Sequence, residues 1–332
     1  MKTLITVWNP ELRNIIFSPE TRRKLEAVSE VHWVPEGIPY GQEDLLRDIG
    51  PYDACITSWG SPKLDADVLR KADRLKFIGH AAGTMVSYVG PAAFAKGIVV
   101  VNANLALARS TAELTVSLML AGSWNLMGYS RNLAAGIWRS NSDTVAGLYG
   151  RRIGLIGYGE VAREVIRLLQ PFDPDILLCS PYCSEEEAER SGVTLASLDE
   201  VLATCDVVSL HDTLTRATRG MLGREQLRLM KDGALLVNTA RAALIDEAAL
   251  IEELSAGRIN AAIDVYYEEP PGENFPLLHL PNVLCVPHIG AFSRYWKPQL
   301  GQMLAEDLAR FAAGEPLLRR ITEEKFYRMT ER

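Results

Sequence analysis

Residues 152–169 leave this chain the fewest ways to fold. Arg152-Ile153-Gly154-Leu155-Ile156 is a short apolar run, Gly157-Tyr158-Gly159-Glu160-Val161-Ala162 follows, and the pattern then switches to helical spacing through Leu169. A strand that passes through Gly-x-Gly-x-x-small into a helix is the first turn of a dinucleotide-binding unit. Gly157 allows the tight turn, Gly159 keeps the backbone clear for a pyrophosphate, and the small Ala162 lets helix pack on strand. The helix start turns unpaired N–H groups and the positive end of its dipole toward the phosphates. Gly157, Tyr158, Gly159, Glu160 and Val161 are therefore candidate cofactor residues. Two features are unusual: the motif comes late in the chain, and the acidic residue expected about 20 positions further on is missing.

The rest of the chain supplies the context. Apolar strands are expected over residues 3–7, 31–34, 54–57, 77–79 and 98–101, with helical stretches near 43–49, 65–71 and 90–95 between them, and Ser18-Pro19-Glu20 opens another helix. Such alternation implies a parallel sheet covered on both faces. No nucleotide fingerprint lies in this part, so it should hold something other than the cofactor. Ser110-Thr111-Ala112-Glu113 reads as a capping box, with Leu114, Leu118 and Ala121 behind it, and predicts a helix over 110–127 crossing between domains. Residues 128–150 read as irregular: either a surface loop with a buried Trp138 or an arm that embraces a second subunit. From 152 the alternation resumes, with strands near 152–156, 176–179, 206–210, 234–237, 260–264 and 283–286 and helices near 160–169, 197–203, 224–230 and 246–255. Six strands fit the two halves of a Rossmann sheet. A last long helix over 298–313 is expected to return to the first domain. The fold class is thus α/β, with two doubly wound parallel-sheet domains.

With 332 residues there is chain enough for two cores. A net charge of −7 gives no basic footprint, which argues against nucleic acid as a partner. The five cysteines are odd in number and have no CxxC spacing, so reduced thiols and no metal site are expected. The apolar stretch 114–121 is too short to span a membrane, and the N-terminal apolar run is too short for a secretory signal. A soluble, cytoplasmic protein is expected.

Ligands of such sheets bind beyond the carboxyl ends of the strands. Asn238-Thr239-Ala240-Arg241 follows one predicted strand, Asp264 ends the next, with Glu268-Glu269-Pro270 beyond it, and Pro287-His288-Ile289-Gly290 follows the last. An arginine is a planar partner for a carboxylate, and a histidine with a nearby acid is an acid–base group. Taken singly each has a structural explanation; together behind a dinucleotide turn they point to catalysis.

The segments IGLIGYGEVA, DVVSLHDTLTRATRGMLG, LLVNTARAALIDEAAL, AAIDVYYEEP and NVLCVPHIGAFS, in this order, resemble the D-isomer-specific 2-hydroxyacid dehydrogenase family. With GIVVVNA and the 110–121 helix the resemblance covers most of the chain and is weakest before residue 75. It implies a Rossmann cofactor domain (105–293) inserted in a discontinuous flavodoxin-like substrate domain (1–104 and 294–332). It also implies a homodimer held partly by an arm at about 123–150. It further implies that Arg241 binds the 2-oxo acid, that His288 exchanges the proton, and that Glu269 holds the imidazole protonated, with Glu268 the alternative in register. Backbone N–H groups of Ala82, Gly83 and Thr84 would hold the substrate carboxylate together with Arg241 and His288. Asp264 would face the nicotinamide carboxamide. The cofactor set is completed by Ser180, His211, Thr213, Thr239, Ala240, Arg241, His288 and Gly290, for NAD or NADP.

The sequence departs from the family pattern in four places. Ser180 stands where a ribose-binding aspartate is usual; it can hydrogen-bond a hydroxyl but cannot repel a 2′-phosphate. No arginine follows it closely, and Glu185-Glu186-Glu187 disfavours a phosphate, so both cofactors are expected to bind, NAD(H) somewhat better. Met85 and Leu107 replace two asparagines and are expected to make the substrate mouth more apolar. Thr213 replaces a proline in the His-x-Pro loop. Tyr295 and Trp296 follow the histidine, as pocket lining or as packing. The leading function is hydride transfer between NAD(P) and a small D-2-hydroxy or 2-oxo acid. The alternatives are a dehydrogenase for another small anion, such as formate or phosphonate, and a dinucleotide-sensing, corepressor-like interaction protein.

Overall fold

A computed structural model describes residues 1–329. The chain divides into two compact units, one formed by Met1–Leu107 and the chain from Phe292 onward, the other by Ala108–Ala291. Residues 330–332 of the expected 294–332 segment lie outside the described residues.

In the first unit β1 (Lys2–Ile5), β2 (Glu30–Trp33), β3 (Ala54–Thr57), β4 (Phe77–His80) and β5 (Val99–Asn102) form one parallel sheet in the order β2-β1-β3-β4-β5. This is the flavodoxin-like order. Its strands are apolar on both sides because both sides are covered. Leu4, Cys55, Ile78 and Val100 lie in register and enter one core with Leu45, Val68 and Val89. Ile5, Ile56, Gly79 and Val101 share the opposite face, where a Cβ on Gly79 would sit 3.4 Å from the methyls of Leu304. The helix Lys297–Ala313 therefore covers that face, with the Phe311 ring tilted at 45° to that of Phe77 and 5.2 Å from it. Gly301 makes this close approach possible: a Cβ there would lie 2.2 Å from the carbonyl oxygen of Ile16.

In the second unit β6 (Arg152–Ile156), β7 (Asp175–Cys179), β8 (Thr194–Leu195), β9 (Val207–Leu210), β10 (Leu235–Asn238), β11 (Asn260–Ile263) and β12 (Val283–Cys285) form a parallel sheet in the order β12-β11-β10-β9-β6-β7-β8. Strand order reverses between β6 and β9, which is the switch point where such sheets bind ligands. Alternate residues feed two cores. Ile156, Val208, Leu210 and Leu236 enter one, and Ile153, Leu155, Leu178 and Val237 the other.

Three sequence expectations change. The sheet has seven strands rather than six, because β8 is only two residues long and carries no period to read. It follows the helix Glu185–Ser191, whose start is fixed by a capping box between Ser184 and Glu187. The capping box read at Ser110 does not exist: the helix begins at Asn104 and runs to Ser123, so Ser110 lies inside it. There Ser110 donates its hydroxyl to the carbonyl of Gly290 instead, a tertiary partner that local spacing cannot reveal. Residues 128–150 are not uniformly irregular, since Leu126–Ala134 is helical. Trp138 is 75% exposed rather than buried.

Candidate active site

The glycine turn leaves β6 with Gly157 at φ +98°, a conformation that L side chains rarely adopt. A Cβ there would lie 2.5 Å from the backbone nitrogen of Asp212, so the turn is pressed against the chain leaving β9. Gly157 N–H donates to the carbonyl of Cys179 at 2.9 Å, tying the turn to the end of β7. Ala162 is fully buried between helix and sheet. Gly159 is different: a Cβ on it would meet nothing within 4 Å. No packing demand explains a glycine there, whereas backbone kept bare for a ligand does. It is also the N-cap of the helix Glu160–Leu169 and, as a glycine, brings no side-chain cap to the helix start. These residues fit a dinucleotide pyrophosphate. Val161 packs partly on the core, and the Tyr158 ring is buried, with its hydroxyl 3.2 Å from Ser191 Oγ.

Ser180 follows β7, and its Oγ accepts the Tyr182 N–H at 3.2 Å, which leaves its hydroxyl hydrogen to donate. The His211 imidazole is buried, neither ring nitrogen has a hydrogen-bond partner among the described residues, and burial lowers its pKa to about 3. It is neutral, and what it brings to the turn is backbone: its N–H donates to Ile156 O at 2.7 Å. Thr213 accepts from the Thr218 hydroxyl through its carbonyl at 2.6 Å, closing the loop that the usual proline would stiffen.

At the end of β10 the Asn238 side chain shapes the next turn, accepting from Ala240 N–H at 3.0 Å and donating to Arg241 O at 2.9 Å. Thr239 Oγ1 lies 2.8 Å from Thr115 Oγ1, so its side chain is turned to the helix Asn104–Ser123. Arg241 follows, half-buried, with Nη1 donating to Ala240 O at 2.6 Å.

At the neighbouring strand ends, Nδ1 of His288 stands 2.9 and 2.8 Å from the two carboxylate oxygens of Glu269. An ionised carboxylate only accepts, so Nδ1 carries the hydrogen and Nε2 is left as the nitrogen that exchanges a proton. It is Glu269, not Glu268, that the fold brings to His288. Glu269 also accepts Tyr266 N–H at 3.2 Å, and the Tyr266 hydroxyl donates to Val286 O at 2.8 Å. His288 holds φ +51°, a left-handed conformation costing a non-glycine residue about 1–3 kcal/mol. The next two peptides hold it there: Ile289 and Gly290 N–H donate to Asp264 at 2.7 and 3.0 Å. Asp264 is almost fully buried; burial pushes its carboxyl above the usual range, and these two N–H groups oppose that shift. Asp264 thus anchors the histidine loop, a role that its strand-end position alone did not reveal.

In the first unit, Ala82, Gly83 and Thr84 follow β4. Asn102 Nδ2 donates to Gly83 O at 2.9 Å, and a Cβ on Gly83 would lie 2.9 Å from Asn104 Oδ1. Met85 does not present an apolar side chain at the surface, because it is fully buried in the core with Tyr88 and Val89. The expectation that it makes a substrate mouth more apolar is corrected accordingly. Leu107 is also buried. Tyr295 is 68% exposed and meets Trp296 edge-on at 4.9 Å.

Residues 116–290 match the family described as D-isomer specific 2-hydroxyacid dehydrogenase, NAD binding domain. The chain is 40% identical over 293 residues to a D-3-phosphoglycerate dehydrogenase of Methanocaldococcus jannaschii, covering 88% of this chain and 55% of that one. It is 38% identical over 277 residues to one of Archaeoglobus fulgidus, covering 83% and 52%. The chain thus spans about half the length of these curated relatives. Among solved structures, a glyoxylate reductase from Paecilomyes thermophila is 28% identical with a TM-score of 0.79, covering 98% of this chain and 99% of that one. A phosphoglycerate oxidoreductase from Rhizobium etli is 26% identical with a TM-score of 0.80, covering 97% and 99%. A fold of two parallel sheets, a glycine turn that fits a dinucleotide and a family match across the second unit agree: this chain belongs to the D-isomer specific 2-hydroxyacid dehydrogenase family.

Proposed function

We propose that the chain is an NAD-dependent oxidoreductase that moves a hydride between the cofactor and C2 of a small D-2-hydroxy acid or its 2-oxo form. The observation that carries this reading is the His288–Glu269 pair, held by two short contacts at the strand ends of the sheet that bears the Gly157 turn. The nicotinamide, when bound, supplies the hydride or accepts it. His288 gives the proton on Nε2 to the substrate oxygen as C2 is reduced, and takes it back in the oxidation. Glu269 fixes the ring and faces the positive charge that the imidazolium carries before it donates. Arg241 binds the substrate carboxylate and carbonyl through its planar guanidinium. The part given to Ala82, Gly83 and Thr84 in holding the carboxylate rests on the family resemblance alone.

A panel of 2-oxo acids with NADH and NADPH, followed by cofactor absorbance, tests the reading. The names of the relatives make 3-phosphohydroxypyruvate and glyoxylate the first to try. His288→Ala should lower turnover by about 10²–10⁴-fold while the variant still binds NADH, measured by fluorescence. Wild-type turnover in that variant would remove His288 from the proton transfer. NADH binding without turnover on any acid would favour a cofactor-sensing protein instead.

The reading extends to assembly. The helix Leu126–Ala134 and the segment after it expose Leu126, Met127, Leu133, Ile137, Trp138 and Tyr149, an apolar run that supports an arm against a second copy of the chain. Sedimentation velocity showing only monomer would end the dimer proposal. All five cysteines are free, which supports a reducing compartment such as the cytoplasm. No helix among the described residues is long and apolar enough to cross a membrane.

A further inference from the structure

Ser180 leaves the expected ribose position without a charge, and the sequence just after it offers acids rather than an arginine. The fold brings an arginine there from elsewhere. Arg163, in the helix Glu160–Leu169, lays its guanidinium over the Tyr158 ring at 4.1 Å. Its Nη2 donates to Glu187 Oε1 at 3.2 Å. The Tyr158 hydroxyl meets Ser191 Oγ, and both Glu187 and Ser191 belong to the helix Glu185–Ser191 that follows Ser180. Through Glu187, Arg163 is tied to the helix that follows the loop Ser180 begins. This loop is where the adenosine ribose of a dinucleotide seated on the Gly157 turn would end.

The two partners differ in freedom. Glu187 is fixed by the capping box, its N–H donating to Ser184 Oγ at 3.2 Å and its carboxylate accepting Ser184 N–H. The Arg163 side chain is half-exposed, against 28% for Glu187. A 2′-phosphate is a bidentate guanidinium partner, but to gain Arg163 it must displace Glu187 and come close to a like charge. A 2′-hydroxyl needs neither and can take the Ser180 hydroxyl alone.

We propose that Arg163 is a latent 2′-phosphate ligand and that Glu187, by holding it, sets the preference of this chain for NAD over NADP. The proposal rests on the Gly157 turn being the cofactor site. Glu187→Gln removes the charge yet keeps a residue suited to the capping box, so the helix is retained. Fluorescence titration of this variant should show NADPH binding about 5–10-fold tighter and NADH changed by less than about twofold. Arg163→Met should weaken NADPH by about tenfold and leave NADH within about twofold. The proposal is overturned if both variants keep the ratio of the two dissociation constants within about twofold of wild type. Failure of the wild-type protein to bind NADH would instead overturn the site reading itself, and this proposal with it.

Discussion

In both units the first strand runs through a short turn into a helix, and in both helices the fourth residue is an arginine, Arg13 in Pro10–Ile16 and Arg163 in Glu160–Leu169. The surroundings differ. In the first unit the Asn9 side chain accepts Leu12 N–H at 2.9 Å and closes the helix start. Arg13 is buried, its Nε donating to Val7 O at 2.8 Å and its Nη2 to Val34 O at 2.7 Å, so protein donors fill the corner between the turn and the end of β2. Burial lowers the Arg13 pKa, and the Glu36 charge acts against that. In the second unit the helix start has a glycine for a cap, and its arginine stays outside, on Tyr158 and Glu187. A parallel sheet and a strand–turn–helix are therefore not enough to make an anion site. What distinguishes the second turn is that its cap is a glycine with no side chain to close the helix start, where the first has Asn9.

Three substitutions break or sharpen this contrast. Gly157→Val should have the largest effect, because its Cβ would press on the backbone of Asp212 and His211 at 2.5–2.6 Å from a left-handed φ. A loss of at least about 4 kcal/mol in denaturant unfolding is expected, and with it NADH binding. Wild-type stability in this variant would mean that the turn does not need its glycine. Arg13→Met leaves the Val7 and Val34 carbonyls without their donor and should cost about 2 kcal/mol. Its NADH affinity should stay within about twofold of wild type, since Asn9 already closes that helix start. A large loss of NADH binding would show that the first turn is not merely structural. Gly159→Ala should be nearly silent in stability, under about 0.5 kcal/mol, because the new Cβ meets nothing and the backbone is extended. NADH should nonetheless bind about tenfold or more weakly, as the methyl group takes space meant for the pyrophosphate. Unchanged affinity would place the pyrophosphate elsewhere.

The parts of the candidate site that were legible are those written locally. Gly157-x-Gly159-x-x-Ala162 names its own turn, and Arg241, Asp264, Glu269 and His288 each follow a strand whose apolar run marks its end. What could not be read depends on residues distant in sequence. Ser110 looks like a cap until Gly290 is seen to take its hydroxyl, and Met85 looks like a mouth residue until it is found fully buried in the core of the first unit. The choice between Glu268 and Glu269 also waited on where His288 falls. Arg163 and Glu187 are 24 positions apart, and nothing in either neighbourhood announces the other.

By itself the sequence determined two parallel sheets, a dinucleotide turn late in the chain and the residue types at the strand ends. Hydrophobic period, glycine and capping chemistry act over a few residues and leave their mark there. Only the tertiary structure decided the anchoring of the His288 loop by Asp264, the closure of one turn by Arg13 and the pairing of Arg163 with Glu187 beside the other. The physical reason is that a hydrogen bond or ion pair is set by distance and direction in space, and the sheet brings together strand ends that the chain keeps far apart.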